Sequence, residues 1–182
     1  RPWVAEPEIG TAYDLLIQDA DFAFMMQCRL SIFIGLHKKV FKFANIDTAS
    51  SNRTGKILAV KDDGKVGGIV ATESIRDYVQ LFHNGNGTFK LYHPQSGKYL
   101  MTPDNAQATA SAASAANYTY DMYGDEEGIV AFTTGGQTIH LTNTEPFDVM
   151  SYGIGDPASR WKVSYSQEAQ DLVETIATAR ER

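Results

Sequence analysis

Thr88-Phe89-Lys90-Leu91-Tyr92-His93-Pro94-Gln95-Ser96-Gly97-Lys98-Tyr99-Leu100 is the stretch on which the fold of this 182-residue chain turns. It opens with polar residues alternating against phenylalanine and leucine, the period of a half-buried strand. Pro94 and Ser96-Gly97 then supply turn chemistry, and Lys98-Tyr99-Leu100 starts a second strand. Thr54-Gly55-Lys56-Ile57-Leu58 and Gln137-Thr138-Ile139-His140-Leu141 repeat the second half of the pattern, their final leucines 42 residues before and 41 residues after Leu100. A short apolar run precedes each: Val40-Phe41-Lys42-Phe43, Thr88-Phe89-Lys90-Leu91 and Ile129-Val130-Ala131-Phe132. An aromatic follows each some 18 to 20 residues on, at Tyr78, Tyr118 and Trp161. One such unit cannot bury its apolar face alone, so three must pack together around the recurring leucines and aromatics.

Working outward, the texture from about Leu30 to Tyr165 is short β-branched and aromatic runs broken by Gly, Asn, Asp and Pro. It predicts strands at Val40–Ala44, Ile57–Val60, Ile69–Thr72, Tyr78–His83, Thr88–Tyr92, Tyr99–Met101, Thr119–Tyr123, Ile129–Thr133, Thr138–Leu141, Asp148–Ser151 and Trp161–Tyr165. Asp63-Gly64, Asn84-Gly85, Asn86-Gly87 and Gly135-Gly136 mark tight reversals between them. Ala106–Ala116, low in complexity and without branching, reads as a loop with room for one helical turn. Residues 30–165 are therefore an all-β domain. Residues 1–29 form an N-terminal flank whose Thr11–Gln27 spacing suits a helix, with a strand over Asp21–Met26 as the other reading. Residues 166–182 read as a C-terminal helix or a linker to a further domain, with Ala169, Leu172, Val173 and Ile176 as its apolar stripe and Ser164 with Gln167 as its capping box.

Net charge of −6 and the lack of any Lys/Arg cluster argue against a nucleic-acid partner. Leu30–Leu36, the longest mostly apolar stretch, is far too short to span a bilayer. The lone Cys28 permits no internal disulfide and reads as a small buried hydrophobe. His37, His83, His93 and His140 are scattered without metal-ligand spacing, so no metal and no cofactor are expected. Neighbouring carboxylates in Asp125-Glu126-Glu127 point apart and make a charged turn, not a glycosidase pair. With no nucleophile elbow or phosphate loop either, the chain reads as a binding module and not an enzyme. Three Asn-x-Thr sequons, at Asn52, Asn86 and Asn117, lean toward a secreted chain.

On these residues the chain resembles the ricin-type β-trefoil (ricin B-like lectin) family, whose units run strand, turn, Gly-Lys-Tyr-Leu, a variable strand, then Gln-x-Trp. Phe89–Leu100 matches the first part closely, and Ser159-Arg160-Trp161 looks like the third signature. The resemblance covers Val40–Tyr165. It departs from the family where Ser159 stands for Gln, where Tyr78 and Tyr118 stand for Trp, and where no unit carries the family's sugar-binding Asp shortly after its first strand. It implies a β-trefoil of three units near 40–87, 88–128 and 129–166 with short helical flanks at both ends. It also implies a glycan or polysaccharide as partner, a secreted or cell-surface location, and a place as a module in a larger protein. Carried to the residues, it puts the sugar-stacking aromatic at Tyr152 with Asp156 and Asn143 as polar partners, and a weaker site at Tyr92 and His93. The plainer alternatives are a surface-loop role for Tyr152, a turn start at Asp156-Pro157 and a core position for Tyr92. The competing function is a trefoil spacer or protein-binding scaffold, which would show an exposed apolar patch or a docked helix.

Overall fold

The computed structural model describes residues 35–122 and 128–181. The expected helix over 11–27 and the acidic run at 125–127 lie outside the described residues. Twelve strands are described: β1 Val40–Asn45, β2 Ile57–Val60, β3 Val66–Ile69, β4 Val79–His83, β5 Thr88–His93, β6 Lys98–Leu100, β7 Ala108–Thr109, β8 Tyr118–Met122, β9 Ile129–Thr134, β10 Gln137–Leu141, β11 Val149–Tyr152 and β12 Trp161–Tyr165. One α-helix, α1, follows at Gln167–Arg180.

Strands β1, β4, β5, β8, β9 and β12 pair antiparallel in a closed ring, each hydrogen-bonded to two neighbours, so the barrel has no free edge. The other six strands form three hairpins, β2–β3, β6–β7 and β10–β11, each attached to the first strand of its own unit. Four strands per unit, three times over, make a β-trefoil. Each barrel strand sends two alternate side chains inward. Phe41 and Phe43, Val79 and Leu81, Phe89 and Leu91, Tyr118 and Tyr120, Val130 and Phe132, and Trp161 and Val163 are all buried in one core. Phe43 meets Phe132 edge to face at 4.9 Å and 88°, the arrangement ring quadrupoles favour. The recurring Leu58, Leu100 and Leu141 are likewise buried, one under each hairpin.

Five details depart from the sequence reading. The third strand is Val66–Ile69 and not Ile69–Thr72, because the turn at Gly64 (φ 86°) starts the ladder at once, with Val60 opposite Val66. Gly67 and Gly68 then serve close approach: an added Cβ at Gly67 would strike the Phe147 carbonyl, and the Gly68 N–H donates to that same carbonyl at 2.9 Å. Within the expected loop Ala106–Ala116, Ala108–Thr109 pairs with β6, since a two-residue strand is imposed by its partner and needs no propensity of its own. Val79, not Tyr78, occupies the core place shared with Tyr118 and Trp161; Tyr78 is half-buried. Asp77, Ala116 and Ser159 accordingly hold the position of the signature Gln.

At the C-terminus Ser166, not Ser164, caps α1, its Oγ accepting from the Ala169 N–H at 3.2 Å. The buried face is Ala169, Gln170 and Val173, while Leu172 is 48% exposed. The helix is rotated because Gln170 is needed inside. Its Oε1 accepts from the Val40 N–H at 2.8 Å and its Nε2 donates to the Lys38 carbonyl at 2.9 Å, tying α1 to the start of the barrel.

Candidate functional site

Tyr152 ends β11, opposite Thr138 of β10, and is 55% exposed. Its ring packs against that of His140, centroids 4.7 Å apart and planes tilted by 46°, because His140 sits diagonally across the same ladder. His140 itself is buried and fixed on both nitrogens. Nδ1 is 2.9 Å from Ser159 Oγ and 3.9 Å from Asp156 Oδ1, and Nε2 is 3.4 Å from Arg53 Nη1.

Asp156 starts the one-turn 3₁₀ helix Pro157–Ser159, its Oδ1 accepting from the Ala158 N–H at 2.9 Å. Its Oδ2 takes no hydrogen bond among the described residues and is the carboxylate oxygen left for a ligand. The turn role and a ligand role therefore use different oxygens of one side chain.

Arg53 reaches this cluster from the first unit. It donates to Asp47 Oδ2 at 2.6 Å through Nε and to the Leu141 carbonyl at 2.8 Å through Nη1. Burial pushes Asp47 up, but the Ala49 N–H and the Arg53 guanidinium outweigh it and hold the carboxyl below its ordinary range. Burial lowers His140; Asp156 and Asp47 pull it back, Arg53 adds to the lowering, and the net direction is down. Tyr152 is thus braced against a ring whose proton affinity is lowered, in a frame built from two units.

Of the expected site residues, the structure brings Tyr152 and Asp156 together on His140. Asn143 lies in the loop two residues past the end of β10, whereas Tyr152 pairs with Thr138 near its start. There it is exposed, accepts a hydrogen bond from Ser50 Oγ, and takes the Asn52 amide at 3.4 Å on its carbonyl. His93 is 1% exposed with Nδ1 on Ser96 Oγ and Nε2 on the Arg76 carbonyl, both at 2.8 Å. It cements the second unit's turn and offers no face to a ligand. Tyr92 is half-buried, ringed by Phe82 and Tyr99, and its hydroxyl accepts from Arg180 Nη1 of α1 at 2.9 Å.

Sequence reasoning missed His140 and Arg53 as parts of this site. Ser159 was the available signal. A small hydroxyl in place of the family's long glutamine leaves room that some other side chain must fill, and His140 fills it. Arg53 left no such trace, since its link to Leu141 spans 88 positions. Among the described residues no cluster of His, Cys, Asp and Glu is placed to hold a metal, and no helix is long and apolar enough to cross a membrane.

No family model and no curated protein matches the sequence. Solved structures do match. The designed three-fold symmetric protein ThreeFoil aligns with a TM-score of 0.57 at 18% identity, over 70% of this chain and 99% of its own. The Macrolepiota procera ricin B-like lectin, solved with lactose, aligns at 0.57 and 12% identity over 71% and 97%. The GlcNAcα1-4Gal-releasing endo-β-galactosidase of Clostridium perfringens aligns at 0.55 and 16% identity over 72% of this chain and 34% of that enzyme. At such identities the likeness is one of fold, and the chain has the β-trefoil fold of the ricin B-like lectins.

Proposed function

We propose that this domain is a non-catalytic carbohydrate-binding module of a larger secreted or cell-surface protein, and that its third unit binds a glycan between Tyr152 and Asp156. The observation that carries the reading is the presentation of Tyr152. A tyrosine braced at a 46° tilt against a buried, hydrogen-bonded imidazole, with more than half its surface open, is a supported platform for the C–H face of a sugar. The free oxygen of Asp156 beside it supplies the acceptor that a hydroxyl needs. The lactose-bound lectin among the fold neighbours, and the enzyme of which a trefoil spans about a third, are consistent with sugar binding and with service as an appended module.

Calorimetric titration against a glycan selected on an array tests this. Tyr152→Ala removes most of the affinity and Tyr152→Phe retains it, because the ring is kept. Asp156→Asn weakens binding by about 1.5–3 kcal/mol through loss of a charge-assisted bond, without loss of stability, since Asn caps a helical turn as well as Asp does. Unchanged affinity in Tyr152→Ala refutes the site.

A second reading, a trefoil that binds protein, draws on a separate observation. Met150 and Tyr152 share one face of β11, whose outer edge no strand pairs among the described residues, and Ile154 follows in the turn after it; all three are exposed, and α1 is docked. A domain that retains no glycan on the array and whose Met150→Asp variant loses a pulled-down protein would establish it.

A further inference from the structure

We propose that the groove between α1 and the second unit is a second saccharide site, shaped for a single neutral hexopyranose residue and completed by the C-terminal helix. It rests on the reading of the domain as a sugar binder but uses none of the residues around Tyr152. The groove encloses about 440 Å³, within the ~300–1,000 Å³ typical of small-molecule sites. One wall is a cluster of three half-buried rings, with Tyr92 and Tyr99 4.7 Å apart and Phe82 at 5.7 Å and 6.1 Å from them. Val173 and Ile176 of α1 line the groove as well. Aromatic faces with aliphatic cover suit the alternating C–H patches of a pyranose.

The polar groups fit hydroxyls better than an ion. Lys38 and Arg180 line the groove with Glu174 and Glu181, two cations against two anions, so neither a charged ligand of one sign nor the other is favoured. Together they offer donors and acceptors in about equal number, which a vicinal diol requires and a carboxylate or ammonium ligand does not. Gln80 is 5% exposed and spends its Nε2 on the Lys38 carbonyl at 3.0 Å, leaving Oε1 without a partner among the described residues. The Tyr99 hydroxyl is in the same position. Lys38 adds a further sign of construction. Its φ of 65° is in the left-handed region, which a lysine adopts only under constraint. The constraint is visible: its N–H donates to the Leu81 carbonyl at 2.6 Å while its own carbonyl accepts from both Gln80 and Gln170. Arg180 is held to the opposite wall by its bond to the Tyr92 hydroxyl.

The test is an NMR titration of the tyrosine ring signals of the full chain with methyl glycosides of glucose, galactose, mannose and N-acetylglucosamine at millimolar concentration. At least one glycoside shifts Tyr92 and Tyr99 saturably. Tyr99→Ala weakens that response roughly tenfold and Tyr99→Phe by much less, since the ring dominates. Ala177→Trp, on an exposed helix position that lines the groove, blocks the response without unfolding the chain and serves if Tyr99→Ala does not fold. Tyr152→Ala leaves it unchanged. No response of Tyr92 and Tyr99 to any of the four glycosides overturns the inference, as does a response that survives Ala177→Trp. Shifts at Tyr152 alone leave the third-unit site standing and this one refuted; shifts in the groove alone do the reverse.

Discussion

At the scale of single residues the histidines carry more of this fold than their scattered positions suggest. His93 and His140 are both buried and both hydrogen-bonded on each ring nitrogen, and burial is the largest cause lowering the proton affinity of each. The folded state therefore prefers neutral rings, while in the unfolded chain each titrates near its ordinary value of about 6.5. Above that pH neither state gains a proton. As pH falls below about 6.5 the unfolded chain takes up protons that the folded domain resists, so stability declines through the lowered folded values. Chemical denaturation midpoints should drop between pH 7.5 and pH 5.5, and His93→Gln should flatten that slope while lowering the midpoint at pH 7.5. A midpoint that is level or rises on acidification would contradict the burial argument. The lowered carboxyl of Asp47 adds a second loss, only below its ordinary carboxylate range.

Individual elements differ in what holds them. Each hairpin buries one of the recurring leucines: Leu100 is fully inside, and Leu100→Ala should cost about 2–5 kcal/mol by urea denaturation as a truncation in a packed core. A loss under about 1 kcal/mol would show the cap to be loosely packed. Helix α1 is held differently. Fourteen residues are marginal as an isolated helix in water, and its buried apolar contribution is small, chiefly Val173 and Ala169. Its anchor is Gln170. Gln170→Ala strands the buried Val40 N–H, and should destabilise the chain by about 1–3 kcal/mol, the desolvation cost of one unpaired group. Gln170→Glu should recover part of this by keeping an acceptor for Val40, though it loses the bond to Lys38. Equal stability of all three chains would mean that α1 is not docked in solution.

For the whole molecule the closed barrel decides cooperativity. Every unit contributes two of its six strands, and each unit is paired to both others, so losing one unit strips a strand of each remaining unit of its partner. Unfolding should be a single transition with calorimetric and van't Hoff enthalpies equal. A chain ending at Tyr165 should still close its barrel and melt cooperatively, at a lower temperature, because α1 adds to the ring but supplies none of its strands. Two resolved calorimetric transitions in the full chain would show the units to be separable.

Much of this architecture was readable along the chain, because a trefoil repeats its core. The period near 40 residues and the leucines at 58, 100 and 141 follow from local alternation and turn residues, signals that a linear sequence carries. The edges of that reading failed where local signal was weak or shared. Ala108–Thr109 is a strand only because β6 lies beside it, and the third strand begins at Val66 and not Ile69 because β2 pairs there. The candidate site was half legible. Tyr152 and Asp156 belong to one unit and fall close in sequence, whereas register, invisible without pairing partners, sets Tyr152 opposite Thr138 and leaves Asn143 in the loop past the other end of β10. Folding also turned His93 inward and drew Tyr92 under α1, since both follow from where Arg76 and Arg180 come to rest. The sequence alone determined the repeat, the strands and the shared core, because these depend on residues near one another. Only the tertiary structure decided which polar side chains meet, because Arg53 and His140, or Gln170 and Val40, become neighbours only when the barrel closes.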